Sequence, residues 1–380
     1  MNNPLKVTRN HNANEQLLYF TGTSLSADDK RLYFISDATG SPNVFCMFLD
    51  SGEIRQLTRN RVGFLKSYVY FDGDEYSGLG KASVCLDAPR DLAYYIEGDR
   101  LCRVGLDGAP EVLAELPRGQ MTAFMHVSAD GKRVCVPTTD ARALEGFDQS
   151  KHPAESIDLR VHDEKLNSFL RVFDTATGRE ILREKVPLCW ITHVQFSPAN
   201  PDLILYNHEW PAFHCGIRRM WLWDGATHSA LRSEGGGRSH RDWTCHELWE
   251  SDGSHIIYHG AYKDGPSYIG RVNIETREAV EIPFPPEYKS YGHFTADRSG
   301  ALVSDGYYCD AASREKSLFI STQTADWQRG TLQWHPLCEH RSSWKNQDSH
   351  PHPIYNHRGD KIYFTSDCDG KCAVHEIASR

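Results

Sequence analysis

The tripeptide His350-Pro351-His352 sets two imidazoles two residues apart with a proline between them. In an extended segment, residues i and i+2 project to one side, and Pro351 biases the residue before it towards that backbone. Two imidazoles on one face, joined by His293, make a candidate three-histidine metal site, and Gln347 adds an amide oxygen. All four ligands are neutral, so a divalent ion there keeps its full charge. Such an ion suits an anionic substrate group, for instance a carboxylate, as a further ligand. Three histidines accommodate Zn²⁺, while an oxygen ligand with open positions accommodates Mn²⁺ or a similar ion.

A second polar group lies mid-chain: Asn207-His208-Glu209, His214, Arg218-Arg219-Met220-Trp221, Arg238, His240, Arg241 and His246. Arginine is permanently charged and planar, the side chain suited to carboxylate recognition. For Arg238 and Arg241, beside Gly235-Gly236-Gly237, a solvated surface is the equal alternative. His246 is either chemically active or held structurally by Glu247 or Trp249.

Bringing these residues together requires elements that recur. A unit of a small or polar residue, an Asp, a turn and then alternating β-branched or aromatic residues repeats along the chain. Its clearest copy is Ser26-Ala-Asp-Asp-Lys-Arg-Leu-Tyr-Phe-Ile35, followed by Asn43 to Thr58. Further copies open at Leu86, Ser128, Ser197, Ser251, Thr295 and Tyr355, making seven. Short strands with Asp-Gly and Ser-Gly hairpin signals at this spacing predict an all-β, seven-bladed β-propeller, one domain over residues 1–380. A pair of β-sandwiches is the alternative. No long segment shows a 3.6-residue period, and the charged stretch at about 142–166 reads as an irregular excursion. His193, His246, His293 and the His350/His352 pair each stand shortly before their repeat's turn. In a propeller that position starts the innermost strand, so four successive blades would aim imidazoles at one place.

Composition narrows the function. Lys+Arg 42 against Asp+Glu 51 gives a net charge of -9, which argues against nucleic acid as the partner. Mean hydropathy is -0.55, and no apolar run approaches the roughly 18 residues of a membrane span. The start, Met1-Asn-Asn-Pro-Leu-Lys-Val-Thr-Arg9, has no apolar signal core, so a cytoplasmic location is expected. The 11 cysteines form no CxxC pair and are expected to be reduced core thiols.

The chain resembles the oligogalacturonate lyase family, bacterial β-propeller enzymes of pectin breakdown. The likeness is carried by Asn207-His-Glu-Trp210, Arg219-Met-Trp-Leu222, Thr244-Cys-His-Glu-Leu-Trp249 and Ser342-Ser-Trp344. Gln347-Asp-Ser-His-Pro-His-Pro353 and Tyr363-Phe-Thr-Ser-Asp367 complete it. The resemblance implies a divalent ion, typically manganese, held by His293, Gln347, His350 and His352. It implies His246 as the proton-abstracting base and Arg219 as the catalytic arginine, with Arg218 the alternative one residue away. His208, His214, Arg218 and Trp344 are the candidate substrate-binding residues. Where the family usually carries a His-Arg pair, this chain reads Asn14-Glu-Gln-Leu-Leu-Tyr-Phe20.

The implied reaction is β-elimination on a short uronate oligosaccharide, oligogalacturonate or digalacturonate, leaving a 4,5-unsaturated product. A lyase for another uronate oligosaccharide and a non-catalytic binding propeller of the WD40 or TolB-like type are the alternatives. A propeller-gated peptidase would need a further hydrolase domain, and no GxSxG elbow is present. Oligomeric state is left open by the sequence.

Overall fold

The polar residues of each repeat close its turn. Ser26 Oγ bonds Asp28 Oδ1 at 2.6 Å and accepts from Arg31 N at 3.0 Å, launching the strand Arg31–Ser36. Ser128, Asp130 and Arg133 repeat the pattern at 2.6 and 3.0 Å before the strand Arg133–Asp140. In later repeats the aspartate takes over: Asp252 and Asp297 each accept from a backbone N–H and a hydroxyl of the serine two residues on. These are Asx-type turns, in which a short side chain substitutes for a backbone acceptor.

The computed structural model describes residues 3–61, 79, 83–144, 154–209, 219–232, 243–262, 265–285, 288–290, 292–309, 316–345 and 349–380. Among them the strands form seven antiparallel sheets, five of four strands, one of five and one of six. Six sheets use consecutive stretches of chain. The seventh is completed by the first strand: Leu5–Lys6 pairs with Ala373–Ala378, which pairs with Lys361–Ser366 and then Ile354–Tyr355. This succession is that of an all-β, seven-bladed β-propeller.

The residues group into two compact units, Met1–Gly40, Phe45–Ile54 and Asp242–Arg380 in one, Ser41–Val44 and Arg55–Arg241 in the other. In the first, Val303, Ile320, Cys338, Ile362, Phe364 and Ile377 form a core between two sheets. In the second, Cys135, Leu170, Val172, Phe196, Ile204, Tyr206 and Trp223 do the same. Inner strands such as Arg31–Ser36 and Lys361–Ser366 are buried almost throughout rather than on alternate residues. Both faces of such a strand are covered, so strict alternation survives mainly in outer strands such as Glu180–Pro187.

The charged stretch holds more order than its composition suggests. A helix spans Ala154–Asp163, and Ile157 and Val161, four residues apart, bury one stripe against Met121, Ala143, Leu166 and Trp190. Ile157, Leu159 and Val161 alternate along the chain, which hides the 3.6-residue period in sequence. Among the described residues, nine cysteines lie outside any disulfide and eight of them are buried. No described helix is long and apolar enough to cross a membrane.

Candidate functional site

In the first unit two sequence-distant segments bring three histidines together. His293 directly precedes the strand Phe294–Ala296, and His350 and His352 precede Ile354–Tyr355. One ligand nitrogen from each of His293, His350 and His352 lies within 4.8 Å of the others. His352 is fully buried and His293 nearly so, while His350 keeps some exposure. The His350–His352 segment is not extended throughout, since His352 has φ 48°. That left-handed conformation costs on the order of 1 kcal/mol or more and persists because neighbours impose it. Thr365 N donates to Pro351 O at 2.9 Å and Thr295 Oγ1 to Pro353 O at 3.0 Å, gripping the segment at both ends.

Asp305, wholly buried, is the anchor that sequence analysis did not single out. Its Oδ1 accepts from His293 N at 2.6 Å, and its Oδ2 from His293 Nδ1 at 3.0 Å and His352 N at 3.2 Å. Burial works against ionising this carboxyl, but His293, His340 and His350 around it hold it below the usual range. A carboxylate only accepts, so His293 Nδ1 carries a proton and its Nε2 is the ligating nitrogen. The acceptor also means that the three imidazoles are not backed by neutral groups alone.

Gly292 makes this possible. It has φ +71°, and a Cβ there would lie 2.1 Å from Asp305 Oδ1. Only glycine admits both the conformation and the close approach.

His246 stands beside these imidazoles, its ring centroid 4.5 Å from that of His293. It sits in the strand Trp243–Trp249, where the register shifts between Cys245 and Leu248, and it has φ 52°. The bulge re-aims its side chain. His246 Nδ1 is 2.7 Å from His259 Nε2 and 3.0 Å from Gly292 O. A carbonyl oxygen only accepts, so Nδ1 bears the proton and Nε2 is the basic nitrogen. Phe20 closes the group, with its ring 5.5, 5.4 and 5.6 Å from those of His246, His293 and His352. It belongs to the segment that reads differently from the family pattern. Trp344 stacks on His350 at 4.4 Å.

In the second unit Arg219 is buried and already partnered. Its Nη1 donates to Glu209 Oε2 at 2.9 Å and its Nη2 to His193 Nδ1 at 3.2 Å. The same Glu209 oxygen accepts from Asn207 Nδ2 at 2.7 Å and Thr192 Oγ1 at 2.5 Å. His193 thus bonds the arginine. His208 is buried between Tyr206 and Trp221, its pKa pushed down to about 3 by burial and then by His228. Gln347, His214, Arg218, Arg238, His240 and Arg241 lie outside the described residues.

The partners found here, Asp305, Gly292, His259, Phe20, Glu209 and Thr192, carry no spacing signal. Each is recognisable only from what it touches. What was available in sequence is a faint cue at Asn207-His-Glu209, where an acid stands next to the candidate residues.

The family model described as Pectate_lyase22, oligogalacturonate lyase, matches residues 164–379. An oligogalacturonate lyase of Dickeya dadantii is 25% identical over 94% of this chain and 88% of its own length. An oligogalacturonide lyase of Pectobacterium atrosepticum is 26% identical over 53% of this chain and 52% of its own. Among solved structures, an oligogalacturonate lyase in complex with manganese superposes with a TM-score of 0.77 at 23% identity. That superposition covers 98% of this chain and 92% of the other.

Proposed function

The chain belongs to the oligogalacturonate lyase family, and on that premise we propose that it cleaves short oligogalacturonates, digalacturonate included, by metal-assisted β-elimination. One observation carries the reading: His246 stands ring to ring with a three-histidine cluster whose lead member is oriented by a buried carboxylate.

The residues fit a divalent cation, manganese or another, as cofactor. Three imidazole nitrogens converge, and His293 has the carboxylate–histidine arrangement typical of metal ligands. His293, His350 and His352 would hold the ion, and Gln347 is the proposed fourth ligand. When bound, such an ion offsets the charge of a uronate carboxylate and so eases loss of the neighbouring C5 proton.

His246 Nε2 takes that proton. Its opposite nitrogen, Nδ1–H, donates to Gly292 O and towards His259, so the imidazolium that forms is already hydrogen-bonded. The electron pair released at C5 forms the C4–C5 double bond as the glycosidic oxygen leaves C4 and takes a proton from solvent, to which His246 returns its own. The products are a shortened oligomer and a 4,5-unsaturated sugar, with no water consumed. Arg219, held by Glu209 and His193, is the proposed partner of the uronate carboxylate. His208, His214, Arg218 and Trp344 are proposed substrate contacts, and Trp344, stacked on His350, offers a sugar-facing ring. Short imported oligomers in the cytoplasm are the proposed setting, in keeping with buried thiols outside any disulfide.

Ultraviolet absorbance of the conjugated double bond tests the reading directly. Wild type with added Mn²⁺ should generate it from digalacturonate, chelator should stop it, and His246→Ala should remove most of it while keeping bound metal. Near-wild-type turnover by His246→Ala would dismiss its role. A panel of uronate oligosaccharides separates galacturonate from other uronates.

A further inference from the structure

Beside the three-histidine cluster lies a second set of metal donors with different chemistry. Cys245, His246 and His259 each bring a ligand atom within 4.8 Å of the others. The backbone explains how. Cys245 is the register partner of His259 across two antiparallel strands, so their side chains share a face. Neighbours in a strand ordinarily point apart, but the bulge after Cys245 and φ 52° at His246 return that imidazole to the same face. Cys245 and His259 are buried and His246 is partly exposed, which leaves one side open.

We propose that Cys245, His246 and His259 form a second metal site, selective for a soft ion such as Zn²⁺, that switches the enzyme off. A thiolate with two imidazoles is the donor set of zinc and cobalt, whereas imidazoles with oxygen donors suit manganese. Binding sends the Cys245 thiol proton to solvent; His246 Nδ1 takes the ion in place of its 2.7 Å contact with His259, and the proton it carried passes by way of solvent to Nε2. His246 then has no lone pair for substrate. The inhibition, though not the site, rests on His246 being the base.

Co²⁺ is the probe, since thiolate ligation gives a near-ultraviolet charge-transfer band that imidazole and oxygen ligands do not. Titrating Co²⁺ into full-length protein saturated with Mn²⁺ should produce that band at one equivalent. The band should persist in the His350→Ala/His352→Ala variant and vanish in Cys245→Ser and in His259→Gln. Zn²⁺ should inhibit wild type, and Cys245→Ser should keep its Mn²⁺-dependent activity while needing at least tenfold more Zn²⁺. No band in wild type, or a full band in both Cys245→Ser and His259→Gln, overturns the site. A band without inhibition upholds the site and overturns His246 as the base.

Discussion

His246 Nδ1 stands 2.7 Å from His259 Nε2, a histidine pair formed across two antiparallel strands. Gly292 O, 3.0 Å from the same Nδ1, decides which nitrogen of His246 bears the proton. His259 is therefore a positioning residue for the proposed base.

Replacing His259 with Phe keeps a ring and removes the acceptor. Turnover on digalacturonate is expected to fall on the order of tenfold, or ~1.4 kcal/mol, with KM and bound Mn²⁺ nearly unchanged. An unaltered kcat would show that Gly292 O alone orients the imidazole.

Gly292 serves both halves of the site, orienting His246 through its carbonyl and admitting Asp305 to His293. Gly292→Ala places a methyl group 2.1 Å from Asp305 Oδ1 and forces a left-handed conformation on alanine. The carboxylate must move, and His293 loses its orientation. Outer-shell losses of this kind typically cost about 10- to 100-fold in metal affinity. Equilibrium dialysis against Mn²⁺ should register that loss, and wild-type affinity would show that Asp305 does not set the cluster.

These two residues mark what sequence can and cannot disclose. The seven-fold repeat is legible because each turn spells its own chemistry in a few neighbouring residues, as Ser26, Asp28 and Arg31 do. His293, His350 and His352 stand out because they recur at one place in that repeat. Asp305 sits in Val303-Ser-Asp-Gly306, which reads as an ordinary turn, and its bonds to His293 and His352 span 12 and 47 residues. Phe20 is one apolar residue among many until three imidazoles surround it. The helix Ala154–Asp163 hid for a different reason, because Ile157, Leu159 and Val161 alternate in sequence as the residues of a strand would.

Glu209 is expected to be the chief support of Arg219. Breaking a buried pair by neutralising one partner typically costs about 3–5 kcal/mol, because the remaining charge is uncompensated. Glu209→Gln keeps the shape and should lower the urea midpoint markedly. Adding Arg219→Met should recover part of the loss, since the stranded guanidinium is gone. Additive losses in the double variant would mean that the two side chains are not coupled.

His208 should make the protein acid-labile. Burial first, and His228 second, hold its pKa down to about 3 against an ordinary 6.5. Between those values the unfolded chain binds a proton that the folded chain does not. Stability is therefore full above pH 6.5 and falls as pH drops towards 3, by up to ~1.4 kcal/mol per pH unit from this group. His340, buried and pushed down to about 4, adds a fall of the same sign. Urea unfolding of wild type at pH 7 and pH 5 should show the drop, and His208→Gln should show a smaller one. An equal drop in both proteins would assign the acid sensitivity to other groups and leave the imidazole between Tyr206 and Trp221 without a part in it.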